Sequence, residues 1–429
     1  METKTAAIEM RNITKRFGQV LANDKVWLNI YRGEILALLG ENGSGKTTLL
    51  NMLSGIYFPD EGEIKIDGKE VVIRSPKDAF DNGIGMIHQH FKLVDVLTAA
   101  ENIVLGLPGK LDLKAASAKI REICDKYGFS VDPAQKIYDM SVSQKQTVEI
   151  VKVLYRGADI LILDEPTAVL TPQETDKLFA VLRNMRNDGK AIVIITHKMH
   201  EVEALSDRVA ILRHGQFIGD MLTAHTNAQE MTNMMVGHAV SLNIERPDPV
   251  DPKPRIEVKG LTVRSVDGIV KLDDVSFTAN SGEILGIAGI SGCGQKELLE
   301  AIAGLQTVES GSISYIEDDG SREELIGKDP LSIAELGVSL SFVPEDRLGM
   351  GLVGNMNLAD NMMLRSFRRG KSIFTDRRSP RALAESVVQE LSVSTPSVDT
   401  PVRRLSGGNV QKVLVGREIA SAPTVLLTA

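Results

Sequence analysis

Residues Gly40-Glu41-Asn42-Gly43-Ser44-Gly45-Lys46-Thr47 fit the pattern G-x-x-x-x-G-K-[ST] at every fixed position. Glycines in such a loop let backbone N–H groups converge on phosphate oxygens without interference from Cβ. Lys46 supplies a point charge for β- and γ-phosphates, and the Thr47 hydroxyl is a ligand for Mg2+. The loop leaves an apolar run and opens a helical one, which is the context the pattern requires. A second polar group stands at Asp164-Glu165, where the run Ile160-Leu161-Ile162-Leu163 ends. In a buried parallel sheet the C-terminal ends of the strands open at the nucleotide crevice. Asp164 there can hold Mg2+, and Glu165 can polarise the attacking water of a phosphoryl transfer. His197 follows a third apolar run, 191–195, and can reach a γ-phosphate or its water. His200 completes H-x-x-H, and His88 and His90 make a further pair, but neither has a third ligand of suitable spacing for a metal.

These groups need a rigid frame. Continuously apolar stretches at 35–39, 160–163 and 191–195 alternate with amphipathic stretches at 46–54 and 172–186. Buried strands alternating with helices predict an α/β domain built on a mostly parallel sheet. Residues 97–155 are helical in pattern with no comparable strand, which predicts an inserted helical subdomain over about 92–156.

The chain also repeats. Gly33-Glu34-Ile35-Leu36 through Gly40 reappears as Gly282-Glu283-Ile284-Leu285 through Gly289, an offset of 249 residues that also pairs Gly43 with Gly292 and Gly45 with Gly294. Such a period is too long for a solenoid and predicts a duplicated domain. Between the copies, Pro247, Pro249, Pro252 and Pro254 predict a semi-rigid extended linker over 241–255. Domain one is then 1–240 and domain two 256–429. With 43% apolar and 25% charged residues in 429, the composition suits globular domains and excludes a disordered or fibrous chain. A net charge of −8 without a run of five like charges argues against nucleic acid as a partner. Apolar runs of strand length predict no bilayer span, and Met1–Met10, with acidic residues and no apolar core, predicts no signal peptide. Two distant cysteines, Cys124 and Cys293, fit a reducing, cytoplasmic setting.

Residues 40–47 (Walker A), 160–165 (Walker B), Gln89 after an apolar strand, His197 and Leu405-Ser406-Gly407-Gly408-Asn409 together resemble the ATPases of ATP-binding cassette (ABC) transporters. The resemblance covers nearly the whole chain, twice, and is greatest to the fused-tandem importer ATPases for simple sugars and nucleosides. The segments 85–91 and 164–174 look more like the nucleoside branch, which works with a basic-membrane-protein-type lipoprotein receptor. The resemblance implies two P-loop NTPase domains, ATP and Mg2+ as cofactors, and two integral-membrane permease subunits as partners. It also implies a cytoplasmic place, peripheral on the inner face of the cell membrane. It assigns Phe17 to stacking on adenine, and Gly40, Asn42, Gly43, Ser44, Gly45, Lys46, Thr47 and Thr48 to the phosphates. Thr47, Gln89 and Asp164 would serve the metal, and Glu165 and His197 the chemistry. Gln89 would also sense the γ-phosphate, and 97–155 would receive a coupling helix of the permease. In this family two domains close head-to-tail, so that each nucleotide lies between one Walker A and the opposite signature, here Ser406, Gly407 and Gly408.

The two copies differ. At the repeat offset Lys46 becomes Gln295, Thr47 becomes Lys296 and Phe17 becomes Val266. Glu345 stands for Gln89, and aligning 422–429 with 158–165 puts Thr428 at the Asp164 position and Ala429 at the Glu165 position. Conversely, domain one reads Ser141-Val142-Ser143-Gln144 where domain two keeps Ser406-Gly407-Gly408. Head-to-tail pairing collects every defect on one side and predicts one hydrolytic and one degenerate site. The sequence stops on the strand leading to the second Walker B, which predicts a truncated second domain with an exposed apolar sheet edge. Two other readings remain at this stage. One is a soluble tandem ABC protein acting on ribosomes or nucleic acid, against which stand the short, non-basic linker and the acidic balance. The other is a non-hydrolysing nucleotide-binding fragment.

Overall fold

The computed structural model describes residues 6–18, 20–41, 43–88, 91–109, 112–168, 170–239, 248–265, 268–289, 292–335, 340–343, 347–367 and 375–428. The chain divides into two units, Met1–Asn243 and Ile244–Ala429. Unit one begins β1 (Ala6–Phe17), β2 (Val20–Tyr31), β3 (Ile35–Leu39), α1 (Lys46–Leu53), β4 (Glu61–Ile66), β5 (Lys69–Val71), α2 (Pro76–Asp81) and β6 (Ile84–Ile87). It continues α3 (Ala99–Val104), α4 (Leu113–Tyr127), α5 (Val142–Tyr155), β7 (Ile160–Asp164) and α6 (Pro172–Asn187). It closes with β8 (Ala191–Ile195), α7 (Met199–Leu205), β9 (Arg208–Arg213), β10 (Gln216–Leu222) and α8 (Ala228–Val236).

The apolar runs 35–39, 160–163 and 191–195 become β3, β7 and β8, the middle of a six-stranded sheet ordered β10-β9-β3-β8-β7-β6. Every pair in it is parallel except β9–β10. All five residues of β3 and all five of β8 are buried, because helices cover one face while α1 and a second sheet cover the other, and neither face can carry a polar side chain. Helix α6 starts on a capping box, Thr171 with Glu174, and Pro172 follows in its first turn. Helices α3, α4 and α5 form the insert around Ile103, Ile120, Cys124, Val148 and Val151.

A second layer goes beyond what the sequence predicts. Strands β2-β1-β4-β5 form an antiparallel sheet. One face of β1 offers Ile8, Met10 and Ile13 to the core, while Glu9, Arg11 and Lys15 look outward. That alternation is the mark of a half-solvated antiparallel strand.

Unit two has the matching antiparallel sheet, formed by β11 (Pro254–Arg264), β12 (Val270–Asn280), β13 (Ser310–Ile316) and β14 (Arg322–Glu324) in the order β12-β11-β13-β14. Its helices are α9 (Gln295–Ile302), α10 (Pro330–Glu335), α11 (Leu358–Met363), α12 (Arg378–Glu390) and α13 (Gly407–Ala420). Strands β15 (Leu340–Val343) and β16 (Val425–Thr428) pair in parallel. The linker expected over 241–255 is shorter than predicted, since β11 already begins at Pro254, a position where a strand tolerates proline. Residues 241–247 of that linker lie outside the described residues.

The counterpart of β3 departs from the repeat. Residues 283–289 form no strand, and Ile284, Leu285 and Ile287 are 81%, 44% and 42% exposed. A strand exists only through its ladder, and β3 is held between β8 and β9. No described strand of unit two takes those places.

Candidate nucleotide site

The loop between β3 and α1 is clamped from two sides. Asn23 Nδ2 at the start of β2 donates to Gly45 O (3.2 Å), and Gly215 N–H, in the β9–β10 turn, donates to Ser44 O (3.2 Å). Glycine is obligatory at Gly45, where φ is +93° and a Cβ would lie 2.3 Å from Ala22 O. Gly40 is as tight, a Cβ there falling 2.3 Å from Leu212 O. Gly45 also opens α1 without a side-chain cap, so the first-turn N–H groups point out of the helix with no side chain on them. Gly43 stands exposed in the loop and Thr48 is half-buried on α1. Ser44 is 4% exposed, and its Oγ has no hydrogen-bond partner among the described residues. An orphaned hydroxyl, uncapped N–H groups and a cradle too narrow for Cβ are what a phosphate chain would satisfy.

Lys46 lies across this cradle. Its Nζ donates to Gly40 O (2.7 Å) and Glu41 O (2.9 Å). Burial pushes its pKa down, and the nearby Glu165, Asp164 and Glu41 carboxylates oppose that shift. Asp164 ends β7, and burial and the adjacent Glu165 push its pKa up, against the pull of Lys46 and a hydrogen bond from the Thr47 side chain. Two neighbouring carboxylates next to a hydroxyl form a hard-oxygen set short of positive charge, which suits Mg2+.

Glu165 has a left-handed backbone (φ +47°), unusual for a residue with a side chain. Its N–H donates to Ile195 O at the end of β8 (2.9 Å), and its Oε1 lies 3.1 Å from His197 Nδ1. The structure therefore brings Lys46, Thr47, Asp164, Glu165 and His197 together at the C-terminal ends of β3, β7 and β8. Phe17 ends β1, 43% exposed, with its ring edge-to-face on Tyr57 (5.1 Å) and Lys15 Nζ 5.6 Å from its centre. Asn42, Gln89 and His90 lie outside the described residues. His88 is half-buried, and burial and Lys92 push its pKa down. Among the described residues no three His, Cys, Asp or Glu side chains group to hold a metal.

The two signature helices differ more than their sequences suggested. Helix α5 closes its own N-terminus with a capping box: Ser141 Oγ accepts from Gln144 N–H, and Gln144 Oε1 accepts from Ser141 N–H. The Ser143 side chain, moreover, helps hold the Glu174 carboxyl below its usual pKa, which sets a carboxylate near that terminus. Helix α13 has no side-chain cap hydrogen bond; Ser406 and Gly407 are exposed and Gly408 is half-buried. Arg347 Nη1 donates to Gly407 O (3.4 Å), so a guanidinium stands where the other helix has a carboxylate. An uncapped N-terminus flanked by a cation accepts an anion; a capped one flanked by a carboxylate repels it.

In unit two Gln295, not lysine, opens α9, and Cys293 Sγ donates to its side-chain oxygen. Val266, Glu345 and Ala429 lie outside the described residues. The sheet register corrects the sequence alignment there by one residue. Strand β6 pairs Ile87 with Leu163, and β15 pairs Val343 with Thr428. Val343 precedes Glu345 as Ile87 precedes Gln89, so Thr428 matches Leu163 and Ala429 matches Asp164. The short strand hides such a slip, because Val425, Leu426 and Leu427 match the aliphatic run 160–163 equally well in either alignment. The position of the first carboxylate is still without one.

Comparison with known proteins accords with this architecture. The ABC transporter family model matches residues 23–168 and 272–428. The chain belongs to the ABC transporter family and is an ATP-binding cassette ATPase with two cassette segments. It is 44% identical to a nucleoside import ATP-binding protein of Lactococcus lactis, over 98% of this chain and 83% of that one. A guanosine import ATP-binding protein of Bacillus subtilis is 42% identical over the same shares of each chain. A glucose import ATP-binding protein of Haloferax volcanii is 40% identical, over 99% of this chain and 83% of that one.

Proposed function

We propose that this chain is the ATP-hydrolysing subunit of an importer for nucleosides or simple sugars, firing at one competent composite site. The observation that carries the reading is the convergence of Lys46, Asp164, Glu165 and His197 on an open phosphate cradle, with Glu165 and His197 3.1 Å apart. The names of the relatives supply the direction of transport and the substrate class.

In this reading Phe17 takes the adenine and the 40–48 loop the phosphates. Lys46 leaves its two carbonyl partners for the β- and γ-phosphates. Mg2+, held by Thr47, Asp164 and Gln89, would neutralise charge on those phosphates. Glu165 accepts a proton from the attacking water, and His197 orients that carboxylate and the γ-phosphate through its two ring nitrogens. The uncapped N-terminus of α13, with Ser406, Gly407 and Gly408, covers the γ-phosphate from the other side when the two cassettes close head-to-tail. The site with Gln295 and the self-capped α5 binds without hydrolysis. The subunit would work on the inner face of the cell membrane with two permease subunits, supplied by a substrate-binding lipoprotein. Among the described residues no helix is long and apolar enough to cross a membrane, so the translocation path falls to those partners.

The test is uptake into proteoliposomes carrying the chain with its permease and receptor, fed labelled guanosine or labelled ribose. ATP-dependent uptake of either supports the reading, and Glu165→Gln is expected to stop it while ATP stays bound. ATP turnover with no uptake of either solute would overturn the transport assignment.

A further inference from the structure

Glu201 is the least accessible acidic side chain near the site, and neither the loop pattern nor the strand-end carboxylates account for it. It lies in α7, 3% exposed, between the two loops that carry Glu165 and His197. Thr167 Oγ1 reaches both of its carboxylate oxygens, at 2.6 and 2.7 Å, and donates to them. Thr196 Oγ1 donates to Oε2 at 3.1 Å, and Lys198 Nζ lies 3.0 Å from Oε1. Thr167 and Thr196 are 2% and 3% exposed.

The remaining capacity of these groups is also used. Lys198 Nζ donates to Thr167 O (3.0 Å), and Lys198 N–H donates to Thr196 Oγ1 (3.1 Å). A buried carboxylate is costly unless paired and fully hydrogen-bonded, and this one is both. Its partners are not scattered. Thr167 stands two residues after Glu165, and Thr196 stands immediately before His197. A direct bond, Glu165 N–H to Ile195 O, joins the same two loops on the side of the chemistry.

We infer that Glu201 is a positioning residue, which sets the distance between Glu165 and His197 by tying the loop after β7 to the loop after β8. The strained backbone of Glu165 gives the tie its purpose. A left-handed residue with a side chain relaxes unless its neighbours hold it, and the bonds from Glu201 hold the chain two residues further on. Glu201 touches neither phosphate nor water; it acts through the threonines.

The inference rests on the reading of Glu165 and His197 as the reacting pair, and the test separates the two. The full complex with permease is assayed for ATP turnover and nucleotide affinity as wild type, Glu201→Gln, His197→Ala and the double variant. Glu201→Gln keeps volume and one acceptor but loses the charge on Lys198. It is expected to lower kcat roughly tenfold or more, since charge-assisted hydrogen bonds are lost, with ATP affinity within twofold of wild type. The double variant is expected to be no slower than His197→Ala alone, because the tie serves only that pair. If the two losses multiply instead, Glu201 does not act through His197 and the proposal fails. If His197→Ala itself leaves turnover unchanged, the reading of the pair fails first. Should Glu201→Gln not fold, Thr196→Val removes one strand of the tie with matched volume. A turnover equal to wild type in that variant overturns the proposal.

Discussion

Gly407 and Gly45 are both glycines at helix starts, and the structure separates their reasons. Gly407 is the first residue of α13, in helical conformation, and a Cβ there meets nothing nearer than Arg347 Nη1 at 3.9 Å. The fold does not need glycine at this position. Replacement by aspartate gains about 0.3 kcal/mol of helix propensity and about 0.3–1 kcal/mol from an anion at a helix N-terminus. Unit two of Gly407→Asp is therefore expected to melt no lower than wild type. Turnover moves the other way if this N-terminus covers the γ-phosphate. A unit negative charge about 4 Å from the phosphate costs about 4 kcal/mol at an effective dielectric constant of 20, roughly a thousandfold in rate. Val142→Asp is the control, since Val142 opens α5 as Gly407 opens α13 and is 43% exposed. It should leave turnover within a few-fold of wild type. The assay is steady-state ATPase activity of the complex, with thermal unfolding alongside. Near-normal activity of Gly407→Asp, or equal damage from both aspartates, would refute the reasoning.

Four further outcomes follow from the same geometry. Lys46→Ala should weaken Mg-ATP binding roughly tenfold to a hundredfold, the worth of a charge-assisted phosphate contact; unchanged affinity by calorimetry would count against the cradle. Gly45→Ala should lower the melting temperature, the reverse of Gly407→Asp, because its Cβ collides with Ala22 O at φ +93°; an unchanged melt would contradict the clamp. Asp164 has a raised pKa in the fold, so its ionisation costs stability, and the cost grows as pH rises from the ordinary carboxylate range through that raised value. Asp164→Asn should then raise the melting temperature of nucleotide-free protein near pH 7 and not near pH 3; a gain at low pH alone would reverse the sign. Gln295→Lys should not add a second hydrolytic site, since Ala429 stands for Asp164 and α5 stays self-capped; a doubled turnover per chain would show otherwise.

The phosphate loop was legible in the sequence because backbone geometry dictates residue type there. Gly40 and Gly45 cannot carry a Cβ, and β3 and residues 160–163 of β7, buried on both faces, carry only apolar side chains. The antiparallel sheet of β1, β2, β4 and β5 was hidden, since Glu9, Arg11 and Lys15 interrupt the apolar pattern in a strand only half buried. The cap on α5 could have been read: Ser141-x-x-Gln144 is a capping-box pattern, and its loss at Asn409, three residues after Ser406, marks the open helix. Arg347 beside Gly407 and the bond from Glu201 to Thr167 had no signal, because those partners stand far apart in the sequence. The slip at Thr428 arose because three aliphatic residues fix a strand but not its register.

The place of β3 in its sheet also sets a timetable. Ile35 pairs with Ile192 and Leu36 with Arg208, so the central strand must wait for residues made long after it. At a synthesis rate of about 5–20 residues per second, that wait lasts roughly 10–30 s. Through it the run Ile-Leu-Ala-Leu-Leu stays uncharged, strand-prone and without a ladder on the ribosome, a template for its neighbours on the same message. The yield of folded protein should then depend on elongation rate and on early chaperone capture more than on the stability of the finished sheet.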